Sequence, residues 1–312
     1  MCVVNYLPES RGVSLFAINN KCNPVIFGIE GLQVTGSERD FFRQVKPLGF
    51  ILFARNIDTP DQVKALTADL KNIAGYECPI LIDQEGGRVA RLRPPHWPEF
   101  CAMGDLSKEQ VFDNAYSLGK MLAELGINVN CAPVCDLRLE GAHDIIGDRS
   151  FGEDPEYVAS CAKDVCDGLL KAGVEPVVKH IPGHGRALAD SHLQLPVVDT
   201  DIKILEQTDF KAFKLLAETG YLAMTAHVLF TALDPHNPAT LSKDAISYIK
   251  TIIGYQGPLI TDDMSMKALS GDLAQLTTQA LSAGCDVILH CNGEMKEMIR
   301  ISEGLRQSCV AL

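Results

Sequence analysis

Residues 177–192 read VVKHIPGHGRALADSH, a short apolar run that gives way abruptly to ionisable side chains. The apolar residues between Glu175 and Val178 predict a buried strand, and Gly183 and Gly185 predict that a loop follows it. The ionisable residues of the stretch are Lys179, His180, His184, Arg186, Asp190 and His192. Because polar groups are costly to bury, this pattern predicts one strand of a sheet with an active site at its carboxyl end.

Further apolar runs of strand length occur on both sides of this one, and helical patterns separate them. Together with the run at 175–178, the predicted strands cover residues 25–29, 49–54, 79–83, 129–134, 221–227, 258–262 and 286–290. Alternating β and α elements favour a parallel sheet, and eight such units favour an α/β fold of the closed (β/α)8 TIM-barrel type. An open dinucleotide-binding sheet is disfavoured, because Gly86-Gly87 alone does not supply its glycine fingerprint.

The predicted helices follow the strands in order. The first is predicted over 38–46 with Ser37 as its N-cap, and Thr59-Pro60 predicts the start of the second. The later helices are predicted over residues 107–125, 155–172, 201–218, 242–253, 271–283 and 293–308. Residues 1–23 show no periodicity and are interpreted as an N-terminal extension of unknown role, which leaves 24–312 as a single catalytic domain.

Composition narrows the class of protein. The 312 residues carry a formal net charge of −12, which disfavours nucleic acid or an anionic membrane as the main partner. No window approaches the roughly 18 apolar residues of a membrane span, and the N-terminus lacks the pattern of a signal peptide. The 11 cysteines show no paired spacing and are expected to be buried thiols. We therefore expect a cytoplasmic protein.

Residues with chemical potential follow several of the predicted strands. Asp83, Lys179-His180, His227 and Asp262 stand at the ends of the predicted strands three, five, six and seven. Functional residues of a TIM barrel cluster at the carboxyl ends of its strands. The fold prediction therefore implies that these side chains, distant in sequence, converge on one rim.

Two motifs containing carboxylates each allow more than one interpretation. Asp190 can hydrogen-bond His192, fix its tautomer and make the other ring nitrogen more basic; a turn-capping Asp beside an exposed His is the alternative. Asp262 and Asp263 point to opposite faces of a strand, so only one of them faces the barrel mouth. That carboxylate could be a nucleophile, a base or a metal ligand, or it could cap a helix that begins near Met264.

Arginines accompany the carboxylate of the third strand. Asp83 with Arg88 and Arg91 suits a polyhydroxylated ligand, and Arg149 could act similarly from the loop after the fourth strand. Surface ion pairs are the alternative for both groups.

A metal site is disfavoured by the local sequence. His180 and His184 are four residues apart and would face together only on a helix, which Pro182-Gly183 forbids. No H-E-x-x-H motif is present.

Three spaced motifs together resemble those of the family 3 glycoside hydrolases. They are DQEGGRVAR at 83–91, KHIPGHG at 179–185 followed by DSH at 190–192, and DDMSM at 262–266. Over residues 24–308 the chain is most similar to the single-domain β-N-acetylglucosaminidases of bacterial cell-wall recycling, the NagZ type. Ile181 stands where this family usually has Phe, and the change is expected to alter packing and not chemistry.

The resemblance implies a role for each matched residue. Asp262 would be the nucleophile that forms a covalent glycosyl-enzyme, His192 the general acid/base, and Asp190 the dyad partner of His192. The residues that match positions holding the non-reducing N-acetylglucosamine are Asp83, Arg91, Arg149, Lys179 and His180. His184 also matches the motif and is expected to have a supporting role.

The resemblance further implies the reaction. The expected substrate is N-acetylglucosamine β-1,4-linked to 1,6-anhydro-N-acetylmuramic acid, with or without the stem peptide, hydrolysed with retention and without a cofactor. The alternatives are a β-N-acetylglucosaminide phosphorylase, which uses phosphate as acceptor, and a non-catalytic sugar-binding barrel. Neither nucleic acid nor a membrane is an expected partner, and a monomer is expected.

Overall fold

Strands of this chain are short, almost fully buried and parallel, and a computed structural model describes them within residues 22–310. They are β1 (Asn23–Gly28), β2 (Pro47–Leu52), β3 (Ile80–Ile82), β4 (Val129–Asn130), β5 (Glu175–Ile181), β6 (Val197–Val198), β7 (Leu222–Thr225), β8 (Leu229–Phe230), β9 (Leu259–Asp263) and β10 (Val287–His290). All except β6 and β8 form a closed barrel in the order β1-β10-β9-β7-β5-β4-β3-β2. Pairing of β1 with both β2 and β10 closes the ring, so the predicted eight-stranded TIM barrel is confirmed.

Helices connect successive barrel strands on the outside. They are α1 (Gly36–Val45), α2 (Pro60–Ala74), α3 (Lys108–Glu124), α4 (Pro155–Lys171), α5 (Ile202–Gln207), α6 (Asp209–Lys214), α7 (Lys243–Tyr248), α8 (Leu273–Ala283) and α9 (Met295–Val310). Their starts and ends lie close to the predicted ones for most of the chain. The predicted extension 1–23 lies almost entirely outside the described residues.

Two local predictions are wrong, one helix has an unexpected last turn, and one small sheet was missed. The helix predicted over 201–218 is two helices, because Thr208 leaves helical geometry (φ −124°, ψ −97°) and its hydroxyl bonds Asp209. The helix predicted over 242–253 is confirmed in its extent: α7 runs to Tyr248 and continues to Ile253 as a wider π-helical turn. The strand predicted over 129–134 keeps only two residues, since Pro133 has no N–H for the ladder. The pair β6–β8, a small second sheet, was not predicted at all.

The N-cap of α1 is Thr35 and not Ser37. The Thr35 hydroxyl accepts the backbone N–H of Glu38 at 3.2 Å, and the Glu38 carboxylate accepts the backbone N–H of Thr35 at 2.8 Å. This reciprocal capping box satisfies two of the donors that the first turn of a helix leaves unpaired. Ser37 lies inside the helix that it was predicted to cap.

Two apolar layers hold the barrel together. One fills its interior and includes Ile26, Leu81, Val177, Ile260 and Leu289; a larger one lies between the strands and the surrounding helices. This division follows from the alternation of side chains along each strand. The cysteines at 78, 131, 135, 161, 166, 285 and 291 are buried thiols. Within the described residues, no helix is long and apolar enough to cross a membrane.

Candidate active site

The carboxyl ends of the barrel strands open into a cavity of about 390 Å³. Its size lies within the range of roughly 300–1,000 Å³ that is usual for small-molecule sites. The predicted site residues that line it are Asp83, Arg91, Arg149, Lys179, His180, His184, His192 and Asp262. The chain therefore brings together side chains from β5, β9 and the loops after β3, β4 and β5.

One wall of the cavity is a chain of buried opposite charges. The Lys179 ammonium donates to the Asp83 carboxylate at 2.8 Å and lies 2.6 Å from the Glu85 carboxylate. Arg149 binds the same Glu85 through two parallel hydrogen bonds of 2.8 and 2.9 Å. Arg91 approaches the other oxygen of Asp83 at 3.5 Å. The result is an alternating row of cations and carboxylates in which each charge has a partner.

The pKa values along this row follow from the pairing. Burial alone would raise the pKa of Asp83 and Glu85, but the cations outweigh it and hold both below their ordinary values. Burial alone would lower the pKa of Lys179 and Arg149, but the two carboxylates raise it. All four side chains are therefore charged at neutral pH, and their polar atoms face the cavity as fixed donors and acceptors.

Glu85 was not among the predicted site residues, although it is the centre of this row. Only 1% of its side chain is exposed. The glycine that follows Glu85 in the sequence was the feature that could have indicated it. Gly86 has φ 103°, and any Cβ there would lie 2.1 Å from the Cys101 carbonyl oxygen. A turn that only glycine can make fixes the backbone next to Glu85.

Asp136, also not predicted, anchors the two histidines of the opening motif. Its carboxylate binds His180 Nδ1 at 2.6 Å and accepts the backbone N–H of His184 at 2.7 Å. It is 1% exposed, and although burial works to raise its pKa, His180 lowers it overall. The ring of His180 is thereby fixed with its other nitrogen, Nε2, free of the carboxylate.

The two adjacent aspartates of β9 have different surroundings. Asp263 accepts the Ser265 hydroxyl at 2.6 Å and the Cys291 N–H at 3.0 Å, so this carboxylate holds the turn after the strand. Asp262 accepts the backbone N–H of Asp263 at 2.8 Å. Both aspartates line the cavity, whereas only one was expected to face it. Burial works to raise the pKa of Asp262, but His180, His227 and the Asp263 N–H together outweigh it and hold the pKa below the ordinary value. Asp262 is thus an ionised carboxylate on the cavity wall.

His227 supports β9 from behind and does not line the cavity. Its Nε2–H donates to the Asp263 carbonyl at 3.0 Å, and its Nδ1 lies 2.8 Å from the Thr240 hydroxyl. The ring is fully buried, which lowers its pKa, so Nδ1 accepts from Thr240 in the neutral state. His227 therefore lies near the rim, as predicted, but it does not contact the cavity.

Asp190 and His192 form a pair on the loop after β5. His192 Nδ1 lies 2.8 Å from Asp190 Oδ1, and the same oxygen accepts the His192 backbone N–H at 2.8 Å. Burial works to raise the pKa of Asp190, but these bonds from His192 lower it. Because the carboxylate accepts a hydrogen bond, Nδ1 of His192 carries the hydrogen. Nε2 is then available for proton transfer, on a side chain that is 63% exposed.

Arg88 adopts the alternative of an ion pair. It lies 2.8 Å from Asp148 and donates to the backbone carbonyls of residues 144–146. These contacts hold the loop that carries Arg149. Arg88 thus supports the site from the rim while Arg91 reaches Asp83.

Comparison with known proteins identifies the family. Residues 32–310 match the glycosyl hydrolase family 3 N terminal domain. The chain belongs to glycoside hydrolase family 3. A β-hexosaminidase of Alkalilimnicola ehrlichii is 36% identical over 282 residues, covering 86% of this chain and 80% of that protein. One of Tolumonas auensis is 36% identical over 294 residues, covering 91% of this chain and 86% of that protein.

Solved structures of family 3 enzymes superpose on the barrel. A β-N-acetylglucosaminidase of Paenibacillus sp. str. FPU-7 has a TM-score of 0.87 at 33% identity, covering 95% of this chain and 58% of that one. NagZ from Neisseria gonorrhoeae, solved with N-trifluoroacetyl-D-glucosamine, has a TM-score of 0.81 at 31% identity, covering 92% and 85%. The family 3 chain is accordingly a glycoside hydrolase of the β-hexosaminidase type, as the motifs predicted.

Proposed function

We propose that this family 3 hydrolase is a retaining exo-β-N-acetylglucosaminidase. Its proposed substrate is N-acetylglucosamine β-1,4-linked to 1,6-anhydro-N-acetylmuramic acid, with or without the stem peptide. The observation that carries the proposal is the ionised Asp262 on the wall of a cavity that His192, bonded to Asp190, also lines. The names of the solved relatives, a β-N-acetylglucosaminidase and a NagZ, support the choice of sugar.

The proposed reaction has two steps. Asp262 attacks the anomeric carbon, the glycosidic C–O bond breaks, and His192 donates a proton to the departing oxygen. Water then attacks the glycosyl-enzyme, His192 takes a proton from it, and Asp262 leaves. Two inversions at one carbon give net retention. Asp190 accepts the Nδ1 hydrogen throughout and so stabilises the protonated form of the His192 ring.

In this proposal the wall of opposite charges binds the sugar. Asp83, Arg91, Arg149, Lys179 and His180 each turn a polar group to the cavity. Because Lys179 and Arg149 already hold carboxylates, they meet the sugar hydroxyls in fixed orientations, and little side-chain entropy is lost on binding. His184 has a supporting position, since its ring bonds the neighbouring loop.

The proposal includes the setting of the reaction. We place the enzyme in the cytoplasm as a monomer with one catalytic domain over residues 24–312, acting on fragments of recycled peptidoglycan.

The decisive experiment measures release of N-acetylglucosamine from the anhydro-disaccharide. We expect Asp262→Ala to lose several orders of magnitude in kcat, because the covalent step has no nucleophile. Asp263→Ala is the matched control one residue away on the same cavity wall, where the bonds to Ser265 and Cys291 and the 3.9 Å approach to His290 are lost. An inactive Asp263→Ala beside an active Asp262→Ala would refute the assignment of the nucleophile.

Adding phosphate separates hydrolysis from phosphorolysis. A hydrolase releases the free sugar at the same rate with and without phosphate, and no sugar phosphate forms. Release that depends on phosphate, with sugar 1-phosphate as product, would overturn the proposal.

A further inference from the structure

Ser191 differs sharply from its two neighbours on the loop after β5. The side chain of His192 is 63% exposed, whereas Ser191 is 3% exposed. The segment is a turn, in which the Asp190 carbonyl accepts the backbone N–H groups of Leu193 and Gln194. Ser191 is buried in this turn at the edge of the cavity, and His192 lines the cavity beside it.

The first part of the loop, residues 185–187, is held in place by several contacts. Gly185 approaches Leu137 so closely that a Cβ would lie 2.2 Å from its carbonyl oxygen. Arg186 is bound to Asp209 at 2.6 Å, and the Ala187 carbonyl accepts the backbone N–H of His143 at 3.0 Å. The next residues lack such anchors, and Leu188 and Leu193 are exposed.

Ser191 is the attachment point of that second part of the loop. In the described part of the chain, residues 188–195 make hydrogen bonds to the rest of the barrel only through Ser191. Its hydroxyl lies 3.1 Å from His184 Nε2, and its carbonyl accepts the backbone N–H of Ala268 at 3.1 Å. Ala268 follows β9, which carries Asp262. One residue thus ties the loop to β5 and to the segment after the proposed nucleophile.

The partner of the Ser191 hydroxyl is itself rigid. Asp136 holds the backbone N–H of His184 at 2.7 Å, and its other oxygen binds the His180 ring. Burial and the nearby His180 lower the pKa of His184 to about 4, so the ring is neutral at pH 7. Nδ1 of His184 is buried without a hydrogen-bond partner, so the ring is held by the bond between its Nε2 and the Ser191 hydroxyl.

We propose that Ser191 is a positioning residue that holds the Asp190–His192 pair over Asp262 through its bond to His184. The inference rests on the proposed acid/base role of His192. It assigns to Ser191 no contact with substrate, and it makes the Asp136–His184–Ser191 chain the connection between the sugar-binding His180 and the proton-transfer pair.

Ser191→Ala tests the inference. We expect kcat on the anhydro-disaccharide to fall about tenfold with KM within twofold, a part of the roughly 10²- to 10⁴-fold that general acid–base catalysis contributes. An aryl glycoside with a good leaving group reports the second step, and azide should restore its turnover because an anion needs no base. Ser302→Ala, another buried serine with one side-chain partner, is the control on α9.

A double-mutant cycle tests the route through His184. If Ser191 acts through His184, Ser191→Ala with His184→Gln loses no more activity than the weaker single variant. Thermal melting establishes that each variant folds. Should His184→Gln fail to fold, the azide response of Ser191→Ala decides alone.

The outcomes separate two failures. Full activity of His192→Ala would overturn the acid/base role and the proposed function with it. An impaired His192→Ala beside a Ser191→Ala that retains kcat within twofold would overturn only the positioning role. A Ser191→Ala whose loss lies in KM, or whose turnover azide fails to restore, would also overturn it.

Discussion

At the scale of single residues, Glu85 holds two buried cations of the cavity wall together. It binds Arg149 through two hydrogen bonds and Lys179 at 2.6 Å, and all three side chains are at least nine-tenths buried. Removing one partner of a buried pair leaves uncompensated charge, which costs far more than the pair contributes relative to an apolar replacement. Here a single carboxylate balances two buried cations.

We expect Glu85→Gln to lower the free energy of unfolding by about 3–5 kcal/mol, since Lys179 and Arg149 lose their shared counter-charge. Urea unfolding at pH 7 measures the loss. Glu156→Gln is the control, because Glu156 also binds a lysine, Lys211, but is 56% exposed. Exposed pairs contribute about 0–1 kcal/mol. Equal losses in the two variants would contradict the role given to Glu85.

Site residues at the ends of strands could be predicted from the sequence, whereas the carboxylates that bind other site residues could not. Asp83, Lys179 and Asp262 could be predicted because each stands at or just beyond the end of an apolar strand. Glu85 and Asp136 act on other side chains, and their partners are far away in sequence. Arg149 and Asp136 lie 64 and 44 residues from Glu85 and His180, the residues they bind, and no local pattern encodes such pairings.

At the scale of elements, α1 shows how one oxygen atom decides where a helix begins. Thr35 and Ser37 are both good N-cap residues, and residue type alone does not choose between them. Glu38 decides, because at the third helical position it returns a bond to the Thr35 N–H and also accepts the Glu30 N–H at 2.8 Å. The capping box was legible in Thr35-x-x-Glu38, three residues apart.

We expect Thr35→Ala to destabilise the protein by about 1 kcal/mol, with a range of roughly 0.5–2 kcal/mol for loss of such a cap. Ser37→Ala changes the same type of group two residues later, where the hydroxyl caps nothing, and is expected to cost less than about 0.5 kcal/mol. Urea denaturation of both variants measures the difference. A larger loss in Ser37→Ala would restore the original prediction for the start of the helix.

Elements that depend on tertiary contacts were the ones missed. Arg186 binds both Asp209 and the Thr208 hydroxyl, which fixes the break between α5 and α6. The strands β6 and β8 have two residues each, too few for any periodicity to show. The long helices α3 and α4 were predicted to within one or two residues, and the start of α2 was predicted correctly. Each of the three carries several turns of one apolar face and a clear cap.

At the scale of the whole molecule, the cavity differs from the surface around it. The chain has a net charge of −12, yet the cavity is lined by five Lys or Arg residues and four Asp or Glu residues, a difference of +1. The negative charge therefore lies mainly outside the site. Because the charges in the site pair with one another, the cavity presents an array of oriented dipoles that suits a neutral sugar.

The same buried charges make stability depend on pH in two windows. The carboxylates with lowered pKa values are Asp83, Glu85, Asp136 and Asp262. Their stabilisation is complete above the unfolded values near 4 and is lost as pH falls toward the lower folded values. His184 acts at higher pH. Its unfolded form takes up a proton below about 6.5, whereas the folded form resists protonation until pH is about 4.

We therefore expect the contribution of His184 to the free energy of unfolding to fall between pH 6.5 and 4. Burial raises the pKa of Glu175 to about 7, so this carboxyl group acts in the opposite direction over part of the same range, and the comparison with a His184 variant isolates the ring. His184 alone accounts for up to about 3 kcal/mol of this loss, at about 1.4 kcal/mol per unit of pKa shift. His184→Gln removes the titrating ring, so the variant should lose less stability than the parent between pH 7 and 4.5. Urea unfolding at both pH values tests this, and His236→Gln, at an exposed position, controls for the substitution. Parallel losses in parent and His184→Gln would show that the buried ring does not set the upper window.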